Sequence, residues 1–322
     1  MSQPILECRN LKKYFDTPRG KLHAVDDVSF SIGAGKTLGI VGESGCGKST
    51  LGRTILRLLS ATSGEVLFQG KNILGCGKKE SMELRRKMQI VFQDPYASLD
   101  PRRTVFQTIS EPLRFHKLYA TPQEVEARTY ELMKTVGLSE RYATMYPHEM
   151  DGGRRQRIGI ARALSLNPSF VVCDEPVSAL DVSIQAQILN LLMDLQESMG
   201  LTYMFITHNL SVVKHISDEI AVLYLGKLVE RAPKDELFKN PAHPYTQALL
   251  SAIPIPALGY KDVEPELIRG EVSSPINPKP GCRFAARCPY ATAACGEDQP
   301  LRDLGNGHFA ACHRCGGSAA EG

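Results

Sequence analysis

Long apolar runs are missing from this 322-residue chain. None approaches the roughly 20 residues that a helix needs to span a bilayer. Any attachment to a membrane therefore has to come through a partner. The opening MSQPILECRN lacks the hydrophobic segment of a secretion signal, so the expected location is the cytosol. An excess of charge is missing too. The 38 Lys and Arg stand against 35 Asp and Glu, a formal net charge of +3, and bulk electrostatics give no case for nucleic acid. Nine cysteines are present, an odd number. In a reducing compartment they are not expected to form a disulfide framework. What remains is an ordinary globular composition, 43% hydrophobic and 23% charged, long enough for one large domain and a smaller one.

The stretch that organises the chain is Gly42-Glu43-Ser44-Gly45-Cys46-Gly47-Lys48-Ser49-Thr50. It reads G-x-x-x-x-G-K-[ST], a phosphate-binding loop. A short apolar run at 37–41 precedes it and a helical pattern at 50–59 follows, so strand, loop and helix come in the required order. Glycines let backbone N–H groups turn inward on an anion, and the helix brings its positive end to the same place. Lys48 is expected to reach the outer phosphates and Ser49 to give its hydroxyl to Mg²⁺. The chain is thus expected to bind a nucleoside triphosphate.

Around this loop the pattern is that of an α/β protein. Residues 5–8 and 28–32 read as strands of an antiparallel layer, with a turn at 16–21. Tyr14 and Phe15 stand just before that turn, either as core aromatics or as a stacking surface for a purine. Strands follow at 64–68 and 88–92. The second ends at Gln93, where open α/β sheets place ligand contacts. Residues 96–150 are rich in Pro between helical patterns at 104–115 and 123–136, and read as a helical insertion. Asp151-Gly152-Gly153 then opens a long helix, a second anion site of the same physical kind.

The buried run 170–173 ends in Asp174-Glu175. Asp174 is placed to hold Mg²⁺, and Glu175 to polarise an attacking water. Ser178-Ala179-Leu180-Asp181 turns into a helix over 184–199. Another apolar strand at 201–206 ends in Thr207-His208, and His208 is read as functional because of that position. A last hairpin is expected at 220–229. Beyond 233 the texture changes: a helix at 244–253, a proline-rich linker, and a tail with Cys282, Cys288, Cys295, Cys312 and Cys315.

In order, the phosphate loop, Gln93, Asp151-Gly152-Gly153, Asp174-Glu175, Ser178 to Asp181 and His208 resemble the motif set of ABC-transporter ATPase subunits over about residues 5–232. The resemblance implies a P-loop NTPase core of ABC type: a RecA-like sheet plus an antiparallel β layer, with a helical subdomain at about 95–157. Residues 1–232 would form the ATPase domain and 233–322 a C-terminal extension. It implies a head-to-tail dimer with ATP between one subunit's phosphate loop and the other's signature. Phe15, with Tyr14 as runner-up, would stack on adenine. Gln93 would join Ser49 and Asp174 around Mg²⁺, Glu175 would be the general base, and His208 would contact the γ-phosphate.

Two further stretches, Gln93-Asp94-Pro95-Tyr96-Ala97-Ser98-Leu99-Asp100-Pro101-Arg102 and Asn240-Pro241-Ala242-His243-Pro244-Tyr245-Thr246-Gln247-Ala248-Leu249-Leu250, resemble the oligopeptide/dipeptide importer branch. That branch implies a second, different ATPase subunit, two transmembrane permease subunits and an extracytoplasmic solute-binding protein, with the chain peripheral at the cytoplasmic face of the membrane. The solute is a peptide in many members, nickel or sugars in others. The segment 96–103 would sense the permeases. Competing readings are a non-transport ABC ATPase, against which stands the lack of coiled-coil insertions or fused second cassette, and a passive nucleotide sensor, against which stands Glu175.

One departure from the family pattern matters. The signature usually has Ser before its two glycines and Gln after them, but this chain has Asp151 and Arg154. An ionised Asp cannot donate a hydrogen bond to the γ-phosphate. A carboxylate at ~3–4 Å from a phosphate charge, at an effective dielectric of ~20, costs on the order of 4 kcal/mol per charge pair. Arg154 or Arg155 offsets part of this, or Asp151 is protonated, or the substitution is tolerated. In a head-to-tail dimer the signature faces the partner's ATP. The partner's site is then the one expected to be impaired, which favours a heterodimer.

The tail cysteines run C-x5-C-x6-C-x16-C from Cys282 to Cys312. Zinc prefers close C-x2–4-C pairs, which only Cys312 and Cys315 form. Four spread thiolates suit an iron–sulfur cluster; free thiols are the third reading. Resemblance to the peptide-importer branch implies a [4Fe–4S] cluster on Cys282, Cys288, Cys295 and Cys312, with Zn²⁺ as the alternative. Cys46 and Cys173 are read as small packing residues.

Overall fold

A computed structural model describes residues 3–252, 270, 273–316 and 318–319. The chain divides into two compact units, Met1–Gly75 with Thr207–Gly322, and Cys76–Ile206. No helix among the described residues is long and apolar enough to cross a membrane.

In the first unit an antiparallel sheet runs in the order Gly20–Ile32, Leu6–Thr17, Ser63–Phe68, Lys71–Asn72. The first hairpin is longer than the sequence pattern indicates. Its strands pair from Leu6↔Ile32 to Thr17↔Gly20, so the turn shrinks to the residues between Thr17 and Gly20. The alternation that marks a strand is blurred there by bulges between Cys8 and Tyr14, which add residues without ending the pairing.

The same unit holds the strand Thr37–Val41, buried along its whole length. It runs parallel to Glu219–Tyr224, which turns back antiparallel into Lys227–Pro233. Burial on both faces explains why Thr37–Val41 reads as a continuous apolar run. The outer edge of Lys227–Pro233 pairs with the short strand Phe309–Ala310, which pairs in turn with Arg302–Asp303. The C-terminal extension therefore continues the sheet that carries the phosphate loop. Phe284 from the extension is fully buried, edge-on to Tyr224 and packed on Tyr245, with ring centroids 5.2 and 5.3 Å away. The helix expected at 244–253 spans Pro244–Ser251; the proline-rich linker after it lies outside the described residues.

In the second unit Met88–Val91, Phe170–Asp174 and Thr202–Ile206 form parallel neighbours. The inserted helices start where the sequence supplies caps. Thr104 and Gln107 close a capping box on Val105–Phe115, and Thr121 and Glu124 do so on Pro122–Thr135. Helix Val182–Met199 buries Ile188, Leu189, Leu192 and Leu195 along one stripe and stops at Gly200, whose φ of 65° is left-handed.

Candidate nucleotide site and its family

The phosphate loop follows Val41 as expected. Gly42, Gly45 and Gly47 have φ of 154°, 77° and 104°, backbone that only glycine adopts cheaply. Gly42 and Gly47 are also crowded: an added Cβ would lie 2.2 Å from the Leu223 carbonyl oxygen and 2.0 Å from that of Ala24. Helix Lys48–Ile55 begins directly after Gly47. Lys48 is buried, and its Nζ donates to the carbonyls of Gly42 and Glu43 at 2.8 and 2.9 Å. The lysine folds back onto the start of the loop. Ser49 and Thr50 occupy the first turn of the helix, and Ser44 the middle of the loop. Cys46 is buried, and burial pushes its thiol up, in keeping with a packing residue.

Tyr14 and Phe15 lie in the first hairpin. The Tyr14 ring stacks on His23 at 3.9 Å, and its hydroxyl donates to Asp26. Phe15 stands half-buried with Lys13 Nζ 4.6 Å from its ring centre. His208, exposed, comes two residues after strand Thr202–Ile206.

In the second unit the strand Phe170–Asp174 is buried throughout and Asp174 is 1% exposed. Cys173 beside it is buried, with its thiol pushed up by burial. Glu175 leaves the strand with φ 48°. A non-glycine residue held in the left-handed region costs of order 1 kcal/mol or more, and such strain gathers at functional sites. Its N–H donates to the Ile206 carbonyl at 2.9 Å, and Gln93 Nε2 donates to its carboxylate at 3.2 Å. Sequence reading assigns Gln93 to the metal; its visible contact is with the expected general base. Gln93 is exposed, so this contact can exchange for another.

The signature opens helix Gly152–Leu164, and Asp151 is its N-cap. One Asp151 oxygen accepts from the Arg154 N–H at 2.8 Å, and the other from the Arg154 guanidinium at 2.6 Å. Both side chains are about half exposed, at 56% and 44%. Arg155 turns inward instead and donates to the carbonyls of Pro147 and His148 at 2.5 and 3.2 Å. Of the two arginines, Arg154 is therefore the one that offsets the Asp151 charge. Gly152 and Gly153 are tightly packed: a Cβ would meet Leu180 at 3.0 Å and Ile184 at 2.7 Å. Asp181 caps helix Val182–Met199 without a side-chain bond to the helix and stays exposed.

Residues 25–178 match the ABC transporter family model, and residues 229–295 match the oligopeptide/dipeptide transporter C-terminal region. The oligopeptide transport ATP-binding protein OppF of Bacillus subtilis (strain 168) is 53% identical over 313 residues, 97% of each chain. OppF of Salmonella typhimurium is 49% identical over 318 residues, 96% of this chain and 95% of the relative. Among solved structures, the dimeric post-hydrolysis state of the ATP-binding cassette MJ0796 bound to ADP and Pi superposes with a TM-score of 0.66. It is 31% identical and covers 71% of this chain and 98% of that one. The chain belongs to the ABC-transporter ATPases of the oligopeptide/dipeptide branch.

This ABC ATPase hydrolyses ATP, and its P-loop NTPase fold is the one expected. Its C-terminal extension holds residues that sequence reading did not connect to the ATP loop. Tyr245 OH accepts the Glu43 N–H at 2.9 Å, and Arg287 reaches the Glu43 carboxylate at 2.8 and 3.1 Å. Tyr245 lies in the Asn240 to Leu250 stretch noticed for its family likeness, but nothing in its spacing announces the contact.

The four predicted cysteine ligands do converge. Cys282, Cys288, Cys295 and Cys312 line one narrow cavity of about 10 Å³ together with His313. Cys282 N–H donates to the Cys295 carbonyl at 2.8 Å, and Cys295 Sγ lies 3.8 Å from His313 Nδ1. A hydrogen bond between Cys312 and Cys315 brings the Cys312 thiol down and pushes Cys315 up. Cys315 itself lies against the Ala242 carbonyl at 3.5 Å. Yet no three His, Cys, Asp or Glu side chains among the described residues are grouped to hold a metal ion. The described residues thus hold no preformed ligand cage for the expected iron–sulfur cluster.

Proposed function

We propose that the chain powers an importer for oligopeptides. The observation that carries this is 53% identity over 97% of both chains to an oligopeptide transport ATP-binding protein, joined to the match of residues 229–295 to the C-terminal region of that branch. The chain works at the cytoplasmic face of the membrane, bound to two permease subunits, with a second ATPase subunit and an extracytoplasmic binding protein in the complex. The exposed Tyr96 and the arginine-lined groove of Asp100, Arg102, Arg103 and Arg114 support a docking role for this segment.

In the cycle, the N–H groups of loop 42–50 and Lys48 hold the phosphates, and Phe15 stacks on adenine, since Tyr14 is engaged by His23 and Asp26. Ser49, Asp174 and Gln93 would hold Mg²⁺, which offsets charge on the phosphate oxygens. Glu175 takes a proton from water as its oxygen bonds to the γ-phosphorus and the bond to ADP breaks. His208 keeps that water in line. The tight left-handed backbone at Glu175 supports this role. Loss of the base through Glu175→Gln should lower hydrolysis by about 10²–10⁴-fold while ATP still binds. Hydrolysis unchanged in that variant would remove Glu175 from the mechanism.

Asp151, in a head-to-tail pair, faces the partner's ATP and weakens that site, which makes the working assembly a heterodimer. Cys282, Cys288, Cys295 and Cys312 hold a [4Fe–4S] cluster that pins the extension. What supports this reading is that the four line one cavity. Anaerobic purification followed by iron, sulfide and zinc analysis tests this. About four irons and four sulfides per chain are expected; one zinc without iron would replace the cluster by a zinc site.

A further inference from the structure

Glu43 is the second residue of the phosphate loop, and all three of its polar groups are held. Its carbonyl accepts from Lys48 Nζ at 2.9 Å. Its N–H donates to the Tyr245 hydroxyl at 2.9 Å. Its carboxylate takes two parallel bonds from Arg287, Nη1 to Oε2 at 2.8 Å and Nη2 to Oε1 at 3.1 Å. Two of these three anchors belong to the C-terminal extension.

Arg287 is well placed for a fixed geometry. Its side chain is 8% exposed against 27% for Glu43. It sits on the short helical turn Ala285–Arg287, between Phe284, fully buried on Tyr224 and Tyr245, and the cavity-lining Cys288. Nη1 also donates to Tyr224 OH at 3.3 Å. A forked guanidinium–carboxylate pair whose guanidinium is buried sets orientation as well as energy.

We propose that Arg287 is a positioning residue of the nucleotide site, holding Glu43 so that the cysteine-bearing segment 282–288 shapes the phosphate loop. Two physical effects act in the same direction. Fixing the peptide on either side of Glu43 keeps the loop's N–H groups and Lys48 in place before ATP arrives, so less order is lost on binding. Pairing the Glu43 carboxylate also keeps a negative charge from swinging toward the incoming phosphates. By reciprocity, ATP on the loop steadies segment 282–288. This rests on the reading of residues 42–50 as the ATP loop.

The test is calorimetric titration of the full chain with MgATP. Wild-type chain that fails to bind MgATP would sink the ATP-loop reading itself. With wild type binding, Arg287→Met is expected to weaken affinity by roughly tenfold, and Arg287→Lys by less, since the point charge remains but the fork is lost. In a Glu43→Gln background the Arg287→Met loss should shrink, because the two act as one unit. Amide exchange of 282–288 should slow on adding MgATP in wild type and in Arg287→Lys less so, a readout that stands if the Met variant does not fold. Equal affinity in Arg287→Met and wild type, an undiminished loss in the Glu43→Gln background, or exchange indifferent to MgATP would overturn the proposal.

Discussion

Asp151 has two tasks that pull against each other. As N-cap it satisfies an N–H at the start of helix Gly152–Leu164, and its pairing with Arg154 keeps the carboxylate charge partly neutralised. In the proposed head-to-tail pair it would present that carboxylate to a phosphate. Ser caps a helix about as well as Asp, so Asp151→Ser should leave the thermal midpoint nearly unchanged. It should also tighten ATP at the partner's site in the assembled pair by about tenfold or more, because at least ~1.4 kcal/mol of repulsion is removed. Filter binding of ATP to the co-purified pair, with the chain's own loop disabled, measures it; unchanged affinity would make the substitution a tolerated one. The identity of Asp151 is plain in the sequence, whereas its choice of Arg154 over Arg155 is not, since both lie within reach and only packing turns Arg155 inward. The same holds for Glu175, whose carboxylate is legible after a buried strand but whose left-handed backbone and contact to Gln93 depend on neighbours distant in sequence.

Strands and helices of the core follow from patterns the sequence displays: buried apolar runs before Gly42 and Asp174, and threonine caps before the inserted helices. The extension is different. Its strands Arg302–Asp303 and Phe309–Ala310 are two residues each, too short for any periodicity. They are held by a buried carboxylate instead. Glu230 on strand Lys227–Pro233 accepts from the N–H groups of Ala242 and His243 at 2.7 and 2.8 Å and pairs with His308 at 2.7 Å. Glu236 lies 3.8 Å from the other nitrogen of the same ring. The hydrogen bond to Glu230 raises the His308 pKa above its ordinary value, with burial opposing it. A raised folded-state pKa means the stabilisation is full below the ordinary histidine range, around pH 6.5, and fades as pH rises through the higher folded value. The difference in melting temperature between wild type and His308→Gln should therefore be largest in mild acid and shrink toward pH ~9. A difference that grows with pH would mean the ring is neutral in the folded protein.

Across the whole molecule, the order of motifs from the phosphate loop to His208 is enough to expect an ABC ATPase, because the motifs sit at strand ends, at helix starts or in the turns between them. The division of the chain is less visible. Residues 233–322 read as an appendix in composition, yet they belong to the same compact unit as the phosphate loop, tied by Tyr245, Phe284 and Arg287. Single long-range contacts of this kind leave no local pattern. The extension thus acts as a wall of the ATP loop, and the molecule as an engine whose strokes a transporter uses. The measurement that bears most directly on that claim is uptake of a labelled oligopeptide into vesicles holding the chain with its co-purified permeases, partner ATPase and binding protein. ATP-driven uptake that disappears with Glu175→Gln is the expected result; uptake that persists in that variant, or ATP hydrolysis by the complete assembly with no peptide entering, would contradict it.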